Sequence, residues 1–102
     1  FDVRFLPNPH FEPDLKGKTG NDEEVVTYML KHSETGEILG KIHDMLEYLL
    51  PKYSREGKQY LTISVGCTGG RHRSVMVVNE LTKRLEQAGQ KVNLFHRDLR
   101  NE

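Results

Sequence analysis

Two hydrophobic patterns occur along this chain, and each predicts a different kind of element. Residues 1–6 alternate apolar and charged side chains with a period of two, which predicts a half-buried strand that ends at the prolines of the next turn. Residues 61–65 are apolar and β-branched, which predicts a second and more deeply buried strand. Residues 91–97 predict a third strand near the end of the chain.

Three other segments carry apolar residues three or four positions apart, the spacing of one face of an α-helix. The first begins near Asn21, whose spacing to Glu24 resembles a capping box. The second is longer, can be capped by Ser33 or Thr35, and ends or kinks near Pro51. These patterns predict helices over about residues 21–32, 33–51 and 75–88.

Strands that alternate with helices in this way predict an α/β fold. We expect a single domain over residues 1–102, built on an open, mainly parallel sheet of at least three strands flanked by helices. In such sheets ligands bind beyond the carboxyl ends of the strands. The loops after the first and second strands would then lie on one rim, which places Asn8 and His10 near the second loop.

The second loop has the composition of a phosphate-binding turn. It joins the second strand to the third helix with the sequence GCTGGRHRS, in which three glycines precede three basic side chains. Glycines let consecutive backbone N–H groups point at one anion, a helix N-terminus adds unpaired donors, and arginines add charge. The predicted ligand-binding residues of this loop are Cys67, Thr68, Gly69, Gly70, Arg71, His72, Arg73 and Ser74.

The same loop leaves an enzymatic alternative open. Cys67 and Arg73 are spaced as in the Cys-x5-Arg loop of cysteine-dependent phosphatases, where a thiolate attacks phosphorus and the arginine holds the phosphate oxygens. Gly66 stands where those enzymes usually carry a histidine. The aspartates considered as a general acid are all poorly placed or unsupported: Asp14, Asp44 and Asp98. Binding is the favoured interpretation because it needs fewer matched groups than catalysis.

Charge and cysteine content restrict the partners. The net charge is zero, but residues 1–50 carry ten acids and five bases and residues 51–102 carry five acids and ten bases. This asymmetry suggests an anionic partner for the second half, or a dipolar subunit that associates head to tail. The single cysteine excludes an internal disulfide framework and fits a reducing, cytoplasmic compartment. No apolar run is long enough to span a membrane, no histidine pair has the spacing of a metal site, and we expect no cofactor in this domain.

Two motifs carry a resemblance to a known family. FDVRFLPNPH at the start and GCTGGRHRSV in the middle resemble the C-terminal domain of the RapZ family (YvcJ in other bacteria), which are RNase adapter and nucleotide-binding proteins. The resemblance implies that a P-loop nucleotide-binding domain precedes this one, as we expect of a chain that opens without an initiator methionine. It also implies a sensor of glucosamine-6-phosphate. The sugar-phosphate pocket that it implies consists of His10, Thr68, Gly69, Arg73 and Asp2.

The resemblance also implies macromolecular partners. Some members of the family bind small regulatory RNA and act with a ribonuclease, and full-length members form homo-oligomers. RNA-binding members end in a strongly basic tail, whereas this chain ends RDLRNE, in which Asp98 and Glu102 dilute the positive charge. Because phosphate contacts dominate nucleic-acid affinity, we expect RNA binding by this chain alone to be weak and sensitive to salt.

Overall fold

A computed structural model describes residues 1–57 and 60–99 of the chain. Its α-helices are α1 (Glu23–Leu30), α2 (Ser33–Arg55) and α3 (Arg73–Gln87). Two short 3-10 turns accompany them, Pro9–Phe11 before α1 and Arg97–Leu99 after α3. Within the described residues, none of the helices is long and apolar enough to cross a membrane.

The three helices pack against one another and enclose the hydrophobic core. α2 is the longest and buries residues three or four positions apart, so that its inward side chains form one stripe. α1 and α3 cover this stripe from two sides. The buried residues that the helices contribute include Val25, Met29, Leu39, Ile42, Leu46, Met76, Val77, Leu81 and Leu85.

The three helices that the hydrophobic spacing predicts are confirmed, with shifted ends. α1 is preceded by Asp22, whose side chain accepts a hydrogen bond from the Thr19 N–H at 2.8 Å, so the predicted cap at Asn21 is one residue early. α2 continues through Pro51 to Arg55, so the proline does not end the helix. α3 begins at Arg73, two residues before the start that the sequence predicts.

The predicted sheet is wrong. No strand occurs in the described ranges, and the pairing there is limited to one parallel bridge between Asp2 and Gly66. The Val3 N–H donates to the Gly66 carbonyl at 2.8 Å, but the Leu6 N–H turns back to the Val3 carbonyl at 3.1 Å, which ends the extended segment after three residues. The fold is therefore a packed set of helices with extended segments on its surface.

The other two predicted strands are extended segments without a ladder. In residues 60–66, Ile63 and Val65 are half-buried while Thr62 and Ser64 are exposed, so the period of two is real. Among the described residues, no backbone hydrogen bond joins 91–96 to 60–66. Alternation of apolar and polar residues shows which side chains face the core. It does not show a sheet, because a sheet also needs a neighbouring backbone to form hydrogen bonds with.

Gly20 fixes the long segment between the first turn and α1 against the start of α3. Its N–H donates to the Arg71 carbonyl at 2.8 Å. A Cβ at this position would overlap the Met76 backbone nitrogen and would lie 2.8 Å from the Val75 Cβ. Only glycine allows so close a backbone approach. Residues 12–20 are thereby fixed beside the glycine loop.

Candidate functional site

The glycine loop, residues 66–72, leads directly into α3. Gly69 and Gly70 both have positive φ angles, +81° and +65°. Successive residues of this kind can turn their N–H groups toward one concave surface, which suits an anion. The first turn of α3 contains no acidic residue, so no carboxylate of its own compensates the positive end of the helix dipole. The backbone here has the features of an anion site.

Arg73, the first residue of α3, lies inside the protein. It is 4% exposed, and its Nη1 donates to the Arg4 carbonyl at 2.5 Å and to the Leu6 carbonyl at 3.3 Å. Its Nε is buried and has no hydrogen-bond partner among the described residues. The guanidinium therefore binds the N-terminal segment to the start of α3. Its predicted contact with a phosphate stays a prediction.

His72 is also directed inward. The residue is 7% exposed, and its ring Nε2 lies 3.2 Å from the Leu15 carbonyl oxygen. Burial lowers the pKa of His72 below its ordinary value, and the charges of Arg71 and His10 lower it further, although backbone carbonyls act in the opposite direction. His72 is thus a neutral core residue that fixes residues 12–20 to the loop.

Cys67 and Ser74 close the loop by a contact between their side chains. The Ser74 backbone N–H donates to the Cys67 Sγ at 3.3 Å, and the same Sγ lies 3.4 Å from the Ser74 hydroxyl oxygen. Cys67 is half-buried with a free thiol, and Ser74 is buried. These contacts fix the curvature of the loop, because they join its second residue to the second residue of α3.

The predicted site residues Asp2, Asn8 and His10 belong to the N-terminal segment, which meets the loop at the Asp2–Gly66 bridge. The Asp2 carboxylate binds Arg4, with 2.8 Å between Oδ2 and Nη2, and this contact lowers the pKa of Asp2. The Asn8 side chain accepts a hydrogen bond from the His10 N–H at 3.0 Å. The His10 ring is exposed and packs edge-on against Phe11. His10 therefore offers an accessible ring, whereas Asp2 and Asn8 have partners of their own.

A groove of about 820 Å³ divides the predicted site residues into two groups. It is lined by residues 60–67 and 90–98 and by residues of α3. Of the predicted site residues, Cys67, Gly70 and Ser74 belong to this lining. The other predicted residues lie outside this lining: Asp2, Asn8, His10, Thr68, Gly69, Arg71, His72 and Arg73. The structure therefore brings the loop together but gives it two sides, one toward the groove and one toward the N-terminal turn.

Asp98 belongs to the groove side. From the sequence it was considered only as an unsupported general acid and as an acid of the tail, and it was not placed at the loop. The carboxylate lies against Gly70, so that a Cβ added to this glycine would overlap it. The neighbouring Arg97 places its Nε 3.6 Å from the Asp98 Oδ1. The one sequence signal was that this acid follows a predicted strand. The contact with Gly70 could not be predicted, because all of α3 lies between the two residues in the sequence.

A further group of potential metal ligands lies on α2, away from the loop. His43, Asp44 and Glu47 have ligand atoms within 4.8 Å of one another. The two carboxylates face different ring nitrogens, at 3.9 Å from Nδ1 and 3.8 Å from Nε2, and both acids are exposed. The four-residue spacing of His43 and Glu47 is the sequence signal that could have found this group. Ordinary surface ion pairs have this arrangement, so it is not a metal site on its own.

Replacing Arg73 should destabilise the fold. In Arg73→Met the carbonyls of Arg4 and Leu6 lose a charged donor, and we expect a loss of about 2–4 kcal/mol in the free energy of unfolding. Lys83→Met removes an exposed cation from the same helix and should change stability by less than about 0.5 kcal/mol. Urea denaturation measures the free energy of unfolding of both variants. Equal stability would show that Arg73 does not hold the N-terminal segment on α3.

Stability should fall as the pH drops below about 6.5, because His72 is held neutral in the folded chain. The pKa of His72 is lower in the folded chain than in the unfolded chain, so the unfolded chain takes up the proton at a higher pH. Acidification therefore stabilises the unfolded state relative to the folded state. Urea unfolding between pH 5.5 and 7.5 should show this slope, reduced in His72→Gln and retained in His43→Gln. An unchanged slope in His72→Gln would contradict the assignment.

Comparison of the sequence with known proteins shows the family of this chain. The RapZ C-terminal domain model matches residues 1–100. The nucleotide-binding protein GSU1884 of Geobacter sulfurreducens is 59% identical over 97 residues, which cover 95% of this chain and 34% of that protein. A nucleotide-binding protein of Clostridium kluyveri is 52% identical over 99 residues, covering 97% of this chain and 34% of that protein. The chain thus spans about a third of the length of these relatives. The sequence resemblance is confirmed, and the chain belongs to the RapZ C-terminal domain family.

Proposed function

We propose that this chain binds a phosphorylated amino sugar of the glucosamine-6-phosphate type on the glycine loop, as the ligand-sensing part of a regulatory protein. The observation that carries the proposal is the pair of consecutive positive-φ glycines, Gly69 and Gly70, in front of a helix whose first turn holds no acid. Loop N–H groups and the positive end of α3 would hold the phosphate. Membership of the family supports the same ligand class.

The exposed side chains around the loop suit the rest of such a ligand. Thr68 is exposed on the loop and carries a hydroxyl that can donate or accept a hydrogen bond. His10 is exposed in the turn that follows Leu6, whose carbonyl is bound to Arg73 at the start of α3. Arg71 is half-buried next to the glycines and would add positive charge. Arg73 would act by holding the N-terminal turn in place, because its guanidinium is bound to that turn.

Phosphatase chemistry has less support. The Cys67 Sγ accepts a hydrogen bond from the Ser74 N–H and lies 3.4 Å from the Ser74 hydroxyl oxygen, so the sulfur has polar neighbours. The phosphatase mechanism needs an arginine on the phosphate oxygens, and Arg73 is bound to the Arg4 and Leu6 carbonyls instead. A thiol with a hydroxyl neighbour, whose matching Arg73 is bound to other groups, favours binding over turnover.

Small RNA and a ribonuclease remain candidate partners of a longer protein that contains this domain, as does self-association. The basic residues of the second half are partly engaged, since Arg73 is buried and Lys83 lies 3.5 Å from the Glu80 carboxylate. The end of the predicted tail, residues 100–102, lies outside the described residues. The remaining positive surface supports only weak, salt-sensitive contacts with phosphates.

Two glycine substitutions with the same strain test the ligand site. Gly69→Ala and Gly89→Ala both add a Cβ in open space at a positive φ, +81° and +89°, at opposite ends of α3. Calorimetric titration with glucosamine-6-phosphate should show affinity lowered about tenfold or more in Gly69→Ala, because the loop N–H groups lose their alignment. Gly89→Ala should bind as the unmodified chain does. Equal affinities of the two variants would place the ligand elsewhere.

A further inference from the structure

The Asp98 carboxylate lies against the glycine loop that is proposed to hold an anion. The residue is carried by the 3-10 turn Arg97–Leu99 and packs directly on Gly70, one of the two glycines of this loop with a positive φ. It also lines the groove next to Cys67 and Ser74. A negative group of the chain itself thus lies in contact with the proposed anion loop.

The electrostatics of this contact oppose a second anion. The Asp98 carboxylate and a phosphate bound to the same loop would be like charges a few ångströms apart, and they would repel each other. Little water could lie between them to screen this repulsion. The described ion-pair partner of Asp98 is Arg97, whose side chain is 83% exposed and whose Nε lies 3.6 Å away. Exposed pairs of this kind compensate a carboxylate only weakly. A phosphate and the ionised Asp98 therefore compete for the loop.

The segment that carries Asp98 is attached in a way that permits movement. Residues 93–95 are exposed and belong to no helix or strand, and the turn after them is only three residues long. His96 fixes the segment to α3, since its Nε2 lies 2.9 Å from the Asn79 Oδ1. A change of backbone angles after His96 would remove Asp98 from the loop without disturbing the helical core.

We propose that Asp98 is an internal competitor of the ligand, which covers Gly70 in the ligand-free chain and leaves it when a phosphate binds. This inference rests on the proposed anion site and adds a mechanism of regulation to it. Occupation by Asp98 lowers the apparent affinity by the fraction of time that the loop is covered. Its release moves the turn Arg97–Leu99, so that ligand binding changes the surface at the end of the described chain.

A charge-matched pair of variants tests the competition. Asp98→Asn keeps the size of the side chain and removes its charge, and Asp44→Asn removes the same charge from an 82% exposed position on α2. Calorimetric titrations of the 102-residue chain at one ionic strength use inorganic phosphate as the probe, then glucosamine-6-phosphate and glucose-6-phosphate. Asp98→Asn should bind all three about three- to tenfold more tightly, and Asp44→Asn should bind them within about twofold of the unmodified chain. Asp98→Ser, checked for its helical circular dichroism, serves as a second variant with the same expected gain.

Each other result has a distinct meaning. Equal binding by the unmodified chain and by both Asp98 variants would overturn the competition and leave the proposed function intact. A loss of affinity for glucosamine-6-phosphate alone would also overturn it, because Asp98 would then be the partner of the ligand's ammonium group. Absence of phosphate and sugar-phosphate binding in every variant would overturn the proposed function and this inference together.

Discussion

A buried cation at the first residue of α3 is the interaction on which the rest of this structure depends. Arginine at a helix N-terminus opposes the helix dipole, and its burial removes water from a permanent charge. The carbonyl oxygens of Arg4 and Leu6 offset that cost and draw the N-terminal segment onto the helix. The Asp2–Gly66 bridge then aligns this segment with the glycine loop. With Arg73 and His72 directed inward, the backbone and small side chains of the loop remain for a ligand.

The helices were predictable from the sequence because a period of three or four residues reports one buried face. That signal located α1, α2 and α3 to within a few residues. The sheet was not predictable, because alternation in residues 61–65 has the same appearance whether or not a neighbouring strand is paired. Pro51 is a comparable case: its nitrogen cannot donate to the carbonyl four residues earlier, but the helix tolerates this loss and continues to Arg55.

The position of the candidate site could be read from the glycines of the loop, but the direction of its side chains could not. Sequence spacing places Arg73 and His72 at a phosphate, whereas the structure buries both against carbonyl oxygens that are distant in the chain. Asp98 reaches Gly70 through a turn that follows an entire helix. Contacts of such high sequence separation leave no local pattern, so they appear only once the packing of the helices is known.

The central claim, that the loop before α3 binds an anion in competition with the Asp98 carboxylate that lies against it, is tested most directly by an amide NMR titration. Adding phosphate to the isotopically labelled chain should shift the backbone signals of Gly69, Gly70 and Asp98 together, at one saturating concentration, and leave α2 unchanged. The joint response of Asp98 matters most, because it lies far along the chain from the glycines and meets them only through the described contact. Shifts confined to α2, or saturation of the glycine signals with no change at Asp98, would contradict the account.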